Sequence, residues 1–397
     1  MGWRAKDAGP GALREQAMIE AAFAVPGDLK QRTGGYIYAR RVLELLAQFR
    51  IAADHLALPD GYPAPSSNEL ATTARIFAEV PPSKVLLVDG LAYGAMPAEI
   101  IARAQCPIVA LVHHPLCLET GLSAERQAQL KATETAALAL ARRVIVTSPT
   151  TARVLLGQFA VPAEKLTVAV PGTDPAASLS VRTRLAPAAM RQSPGAGSAP
   201  SAAAAGSGFA GAAASARLEL LAVGSVVPRK GYDLLVQALA DFKHLDWRLT
   251  IAGDRDRSPD TTIAIEAIIK GCCISDRVRL IGAVDESVLA ALYARTDLFV
   301  AASLYEGYGM VLSEALAHGL PIITTTGGAA AETVPDACAI KVPPGDVKAL
   351  AAALQRAMHD APLRRQLAAA AWSAGQNLPR WEETARIISL VLEEVAP

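Results

Sequence analysis

Short apolar runs recur along the chain, each followed by a stretch whose apolar positions fall at helical spacing. IEAAFAV (Ile19–Val25) predicts a strand, PGDLKQRTGG a loop, and YIYARRVLELLAQFR an amphipathic helix with Val42, Leu45, Leu46 and Phe49 on one face. Further strands are predicted at Lys84–Asp89, Pro107–His113 and Arg143–Thr147, separated by helical stretches such as Ala124–Ala141. The pattern resumes with Leu218–Val223, WRLTIAG, RVRLIGAV, Asp297–Ala302 and Leu320–Thr325. Between these runs lie helices opening near Gly231-Tyr232 and spanning Thr262–Lys270, Ser287–Thr296 and Met310–His318; beyond Val347 the chain reads as helical to its end. Strands that are apolar throughout, alternating with helices, predict an α/β fold with parallel, doubly wound sheets. In such sheets functional residues gather beyond the carboxyl ends of the strands.

The alternation breaks once. From Pro175 to Ala216 the composition turns to Ala, Ser, Gly and Pro (RQSPGAGSAPSAAAAGSGFAGAAAS), which buries too little to offset its ordering entropy and predicts a flexible linker. The expected organisation is a first domain over residues 1–174, a linker over 175–216, a second domain over 217–375, and a terminal helix over 376–397. A length of 397 residues supports two cores. Lys+Arg and Asp+Glu both number 38, so no global basic field points to nucleic acid, and only a locally basic patch could seek a membrane. MGWRAKDAGPGALREQ lacks the apolar core of a signal peptide and no apolar run approaches the ~20 residues of a spanning helix. A soluble, cytoplasmic protein is expected, with peripheral contact at the inner face of a membrane left open. The five cysteines show no C-x-x-C spacing and read as free buried thiols, with no metal site expected.

Candidate chemistry centres on Glu306 and Glu314, eight residues apart across a glycine-bearing turn (Gly307, Gly309) that opens the Met310 helix. A helix N-terminus offers free N–H groups and the positive end of a dipole to a phosphate. Eight residues at about 1.5 Å rise span roughly 12 Å, enough for two carboxylates to flank a diphosphate. Either glutamate alone would read as a solvated surface group. Arg229 and Lys230 stand before another helix start, where the dipole disfavours cations unless an anion binds there. His113-His114 ends a predicted strand, and alternation of side chains points only one imidazole at the cleft. Gly34-Gly35 occupies a loop before a helix, and Asp89-Gly90 reads as an ordinary strand-ending turn. Glu119 and Thr120 follow closely enough to line the same cleft. Tyr36, Tyr38 and Tyr93 read as packing residues before pocket-lining ones.

YEGYGMVLSEALAHGLPII resembles the E-x7-E signature of retaining glycosyltransferases of family 4, which have the GT-B fold of two Rossmann-like domains facing a cleft. GSVVPRKG, beginning at Gly224, is similar to that family's G-x5-K-G segment, and Gly253-Asp254 to its A-G-D turn. The resemblance implies Glu306 at the donor sugar, Gly309, Met310 and Val311 at the turn, and Glu314 at the ribose. It implies Arg229 and Lys230 on the diphosphate, Gly224 and the Gly34-Gly35 loop nearby, His113 at the sugar with His114 as the alternative, and Ile281 to Val284 beside the base. It also implies a terminal helix crossing back to the first domain. Four departures are visible: Ala302 and Ala331 stand where proline is frequent, Thr173 replaces an apolar residue, and Glu332 falls one residue late in its glycine loop. The implied activity is transfer of a sugar, with retention, from a nucleotide-sugar to a hydroxyl of a glycan, lipid or small molecule, without cofactor or metal. An epimerase or hydrolase of the same fold, and a non-catalytic nucleotide-sugar binder, are the other readings. Donor base, acceptor and oligomeric state are not given by the sequence.

Overall fold

The structure, a computed structural model, describes residues 18–176 and 217–397. Nearly all of the expected linker, and the first residues of the chain, lie outside the described residues. Among the described residues twelve strands form two six-stranded sheets, parallel in every pairing. The first comprises β1 (Ile19–Pro26), β2 (Ile51–Leu58), β3 (Val85–Asp89), β4 (Ile108–Val112), β5 (Arg143–Val146) and β6 (Leu166–Val168), in the order β2-β1-β3-β4-β5-β6. The second comprises β7 (Leu218–Val223), β8 (Trp247–Ala252), β9 (Val278–Leu280), β10 (Leu298–Ala301), β11 (Ile322–Thr325) and β12 (Ala339–Val342), in the order β12-β11-β10-β7-β8-β9. This is the GT-B architecture, two Rossmann-like sheets whose carboxyl ends face one cleft.

Strand order reverses between β1 and β3 in the first sheet and between β7 and β10 in the second. At such a switch point consecutive loops part to opposite faces and leave a crevice. The central strands are buried throughout, as in IVALV of β4 and LFVA of β10, because helices cover both sheet faces. Edge strand β2 is different: IAADHLAL is largely exposed between its ends, and Asp54 and His55 interrupt its apolar pattern.

One face of the first sheet packs on the helix Gly34–Leu46 and on the helix Trp381–Val395 from the far end of the chain. Trp381, Ile388 and Leu392 are buried there, at about 1.5–3 kcal/mol for each large apolar side chain. Polar contacts fix the crossing: Thr173 N–H donates to Pro379 O at 2.9 Å, Arg380 Nη1 to Thr173 O at 2.8 Å, and Thr384 Oγ1 to Val170 O at 2.7 Å. Tyr38 and Tyr93 are packing residues whose hydroxyls donate to Ala169 O and Ala137 O. All five cysteines are free; Cys106, Cys117 and Cys338 are buried, but Cys273 is exposed in a left-handed turn at φ 54°, which corrects the expectation of burial for all. No helix among the described residues is long and apolar enough to cross a membrane.

Candidate active site

Loops following β7 and β10 meet at the switch point of the second sheet. Gly224, at φ 139°, leaves room for the Lys230 side chain; a Cβ there would lie 2.7 Å from Lys230 Cε. Lys230 Nζ thereby reaches Glu306 Oε1 at 2.7 Å, and Ser303 Oγ donates to the same oxygen at 2.6 Å. Arg229 Nη1 donates to Glu306 Oε2 at 3.3 Å and to Tyr305 O at 2.7 Å. Glu306 itself is 5% exposed. Burial alone would raise its pKa, but the Lys230 ammonium and the Arg229 guanidinium outweigh that and hold it at about 2.

Gly309 takes φ 90° and caps the helix Met310–Ala317, a conformation that an L side chain rarely adopts. The first N–H groups of that helix have no intrahelical partner. One turn in, Glu314 accepts from Tyr293 Oη at 2.7 Å. Burial raises its pKa to about 7, against the lowering effect of that hydrogen bond. The two glutamates of one motif are thus shifted in opposite directions.

Across the cleft, both histidines line the cavity. The expectation that only one would do so fails because β4 stops at Val112, one residue earlier than the predicted strand, so strand alternation does not govern the pair. His113 Nε2 lies 3.1 Å from Asp89 Oδ2, and its ring meets Tyr38 edge-on at 5.4 Å. His114 Nε2 lies 3.3 Å from Glu119 Oε2. Asp89 was expected to be a turn residue only. Its Oδ1 does cap the next turn, accepting from Leu91 N–H at 2.9 Å, but its Oδ2 belongs to the site. A Cβ on Gly35 would lie 3.4 Å from His113 Nε2, and one on Gly34 3.5 Å from Met310 Sδ, so the first glycine loop closes over residues of both domains.

Together these residues line a cavity of about 540 Å³ between the two sheets. Gly34, Gly35, His113, Gly224, Arg229 and Lys230 all border it, as do Glu306, Gly309, Met310, Val311 and Glu314. Of the segment expected beside a base, Ala283 and Val284 line the cavity, whereas Ile281 is 39% exposed. Glu332 is drawn to Arg153 of the first domain. Sequence reasoning missed three supporting residues. Ser303 stands three positions before Glu306, a spacing that could have drawn attention; Tyr293 and Thr151, whose Oγ1 lies 3.4 Å from Gly307 O across the cleft, carried no signal.

The sequence profile of the family described as Glycosyl transferases group 1 matches residues 209–373, and that of Glycosyltransferase Family 4 matches residues 85–177. The chain is 32% identical over 169 residues to D-inositol 3-phosphate glycosyltransferase of Xylanimonas cellulosilytica, covering 42% of this chain and 40% of the relative. Among solved structures it resembles sucrose-phosphate synthase from Thermosynechococcus elongatus, with TM-score 0.72 and 23% identity over 95% of this chain and 98% of that one. It also resembles Anabaena HepE in complex with UDP-glucose, with TM-score 0.69 and 18% identity over 95% and 100% of the two chains. The matches span between 25% and 40% of the length of the first curated relatives. Both halves of the chain thus resemble GT-B glycosyltransferases of the family 4 type, and the fold is theirs.

Proposed function

We propose that the protein is a retaining glycosyltransferase that moves a sugar from a nucleotide-sugar to an acceptor hydroxyl. The observation that carries this reading is the buried Glu306 carboxylate, met by Lys230, Arg229 and Ser303 at the switch point of the second sheet and facing His113 across the cleft. Two cations beside a helix N-terminus suit a diphosphate, and the solved neighbour HepE holds UDP-glucose in the same fold. In this reading Glu314 accepts the ribose, the Gly309–Val311 amides meet the phosphates, and His113, oriented by Asp89, lies at the sugar.

Retention with no carboxylate placed as a nucleophile implies attack from the face of the leaving group. The bond from the anomeric carbon to the phosphate oxygen breaks, the bond to the acceptor oxygen forms, and the acceptor proton passes to the departing phosphate. Arg229 and Lys230 stabilise the charge that develops there, the electrostatic role that commonly dominates such rates. Burial works against the Arg229 charge, but the Glu306 and Glu119 carboxylates raise its pKa, so it stays cationic. The pair does the neutralising, and neither metal nor cofactor is required. The acceptor is a glycan, lipid or small molecule bound against the first domain, and a lipid acceptor would bring peripheral membrane contact.

The test is a panel of UDP-, GDP- and ADP-sugars, following nucleotide release with and without mixed cell-extract acceptors. Acceptor-dependent release of one nucleotide is expected, reduced about 10²–10³-fold in Lys230→Ala and lost in Glu306→Ala. Acceptor-independent release would replace this reading with a hydrolase or epimerase. Binding without turnover under every acceptor would replace it with a binding protein.

A further inference from the structure

Arg229 is shared between the two domains in a way that the donor reading does not use. Its Nη1 is taken by Tyr305 O and Glu306 within the second domain, but its Nε lies 3.2 Å from Glu119 Oε1 of the first. That approach is out of line for a hydrogen bond, and the buried Nε has no hydrogen-bond partner. Glu119 is better held on its own side, by His114 Nε2 at 3.3 Å from Oε2 and by Thr120 N–H donating to Oε1 at 3.2 Å. Burial opposes its ionisation, yet His114 and Arg229 hold its pKa at about 2, so it is an anion at any working pH. Glu119 and Thr120 both border the cavity, and the Thr120 hydroxyl is buried without a partner.

A guanidinium favours two parallel hydrogen bonds to a phosphate over one misaligned contact to a carboxylate. A diphosphate arriving at Arg229 would also repel the carboxylate already there. We propose that Glu119 is an internal stand-in for the donor diphosphate: it supplies the negative charge facing Arg229 Nε, and the donor displaces it. Displacement leaves Glu119 tethered to His114 and to Thr120 N–H, with Oε1 released from Arg229 near the unpartnered Thr120 hydroxyl. An acceptor hydroxyl can then donate to that oxygen. This rests on the transferase reading above.

The experiment is calorimetric titration of UDP, GDP and ADP into the parent protein and into Glu119→Gln, with folding of the variant checked by circular dichroism. Removing the competing anion should tighten the nucleotide that binds the parent by roughly three- to tenfold, the worth of one partly exposed ion pair. A lesion that merely loosened the loop would weaken binding, so the sign separates the two. Should Glu119→Gln not fold, Glu119→Asp, whose shorter side chain falls back from Arg229, should give a smaller tightening. Unchanged or weaker binding in a folded variant overturns the stand-in and leaves the nucleotide reading standing. Failure of all three nucleotides to bind the parent overturns both.

Discussion

On the second domain's wall of the cleft, the Glu306 carboxylate is met by Ser303, Lys230 and Arg229 at 2.6, 2.7 and 3.3 Å, all from loops at one switch point. On the first domain's wall each carboxylate faces a histidine: Asp89 meets His113 at 3.1 Å, and Glu119 meets His114 at 3.3 Å. The buried carboxylates differ accordingly. Glu306 is held at about 2 by its cations despite burial, whereas Glu134, behind the His114 loop, is pushed up to about 8 by burial, with the Leu116 N–H as its one opposing influence. A wall that carries its own counter-charges is arranged in advance for an anion. A wall whose carboxylates face histidines has groups that a second substrate can release.

Three substitutions would sharpen or break that contrast. The largest effect is expected from Glu306→Ala, which strands Lys230 and Arg229 as buried charges; breaking such a cluster costs roughly 3–5 kcal/mol. Urea unfolding should show this, and a loss below about 1 kcal/mol would mean that solvent or local rearrangement meets those cations.

Next in size is Glu134→Gln. Because burial raises the folded-state pKa of Glu134 from 4.5 to about 8, its contribution to stability is fully present below pH 4.5 and is lost as pH rises through about 8. The parent should therefore weaken between about pH 4.5 and 8 relative to the variant, which should gain roughly 1–3 kcal/mol at the upper end. Parallel melting curves across that range would show that Glu134 is not held protonated. The smallest change is expected for Asp89→Asn: stability nearly unchanged and turnover down about tenfold, through misorientation of His113. A drop as large as that of Lys230→Ala would place the reacting centre nearer the first wall than the contrast allows.

What could be read in advance divides along the same line. The second wall announces itself because its residues are close in sequence: Arg229 and Lys230 are adjacent, and Glu306, Gly309 and Glu314 lie within one strand-to-helix turn. Loop chemistry of that kind is local, so spacing carries it. The buried strands β1, β3, β4, β5, β7, β8, β10 and β11 were legible as apolar runs. Of the edge strands, β9 was read within RVRLIGAV, but β2, β6 and β12 were not, because a strand covered on fewer sides keeps a weaker apolar pattern, as the largely exposed IAADHLAL shows. Asp89 passed for a turn residue because the sequence shows its cap on Leu91 and hides a histidine 24 positions away.

The sequence by itself determined two parallel α/β units and the motif residues at the ends of their strands, since periodicity and short-range spacing follow from backbone geometry. Only the tertiary structure decided the state of those residues. Burial and neighbours from distant loops send Glu306 down to about 2 and Glu314 up to about 7, though both belong to one motif. Only the facing of the two sheets brings Arg229 to Glu119, 110 positions earlier in the chain. Charge state depends on what lies within a few ångströms in space, and that neighbourhood is assembled from elements whose order along the chain does not record it.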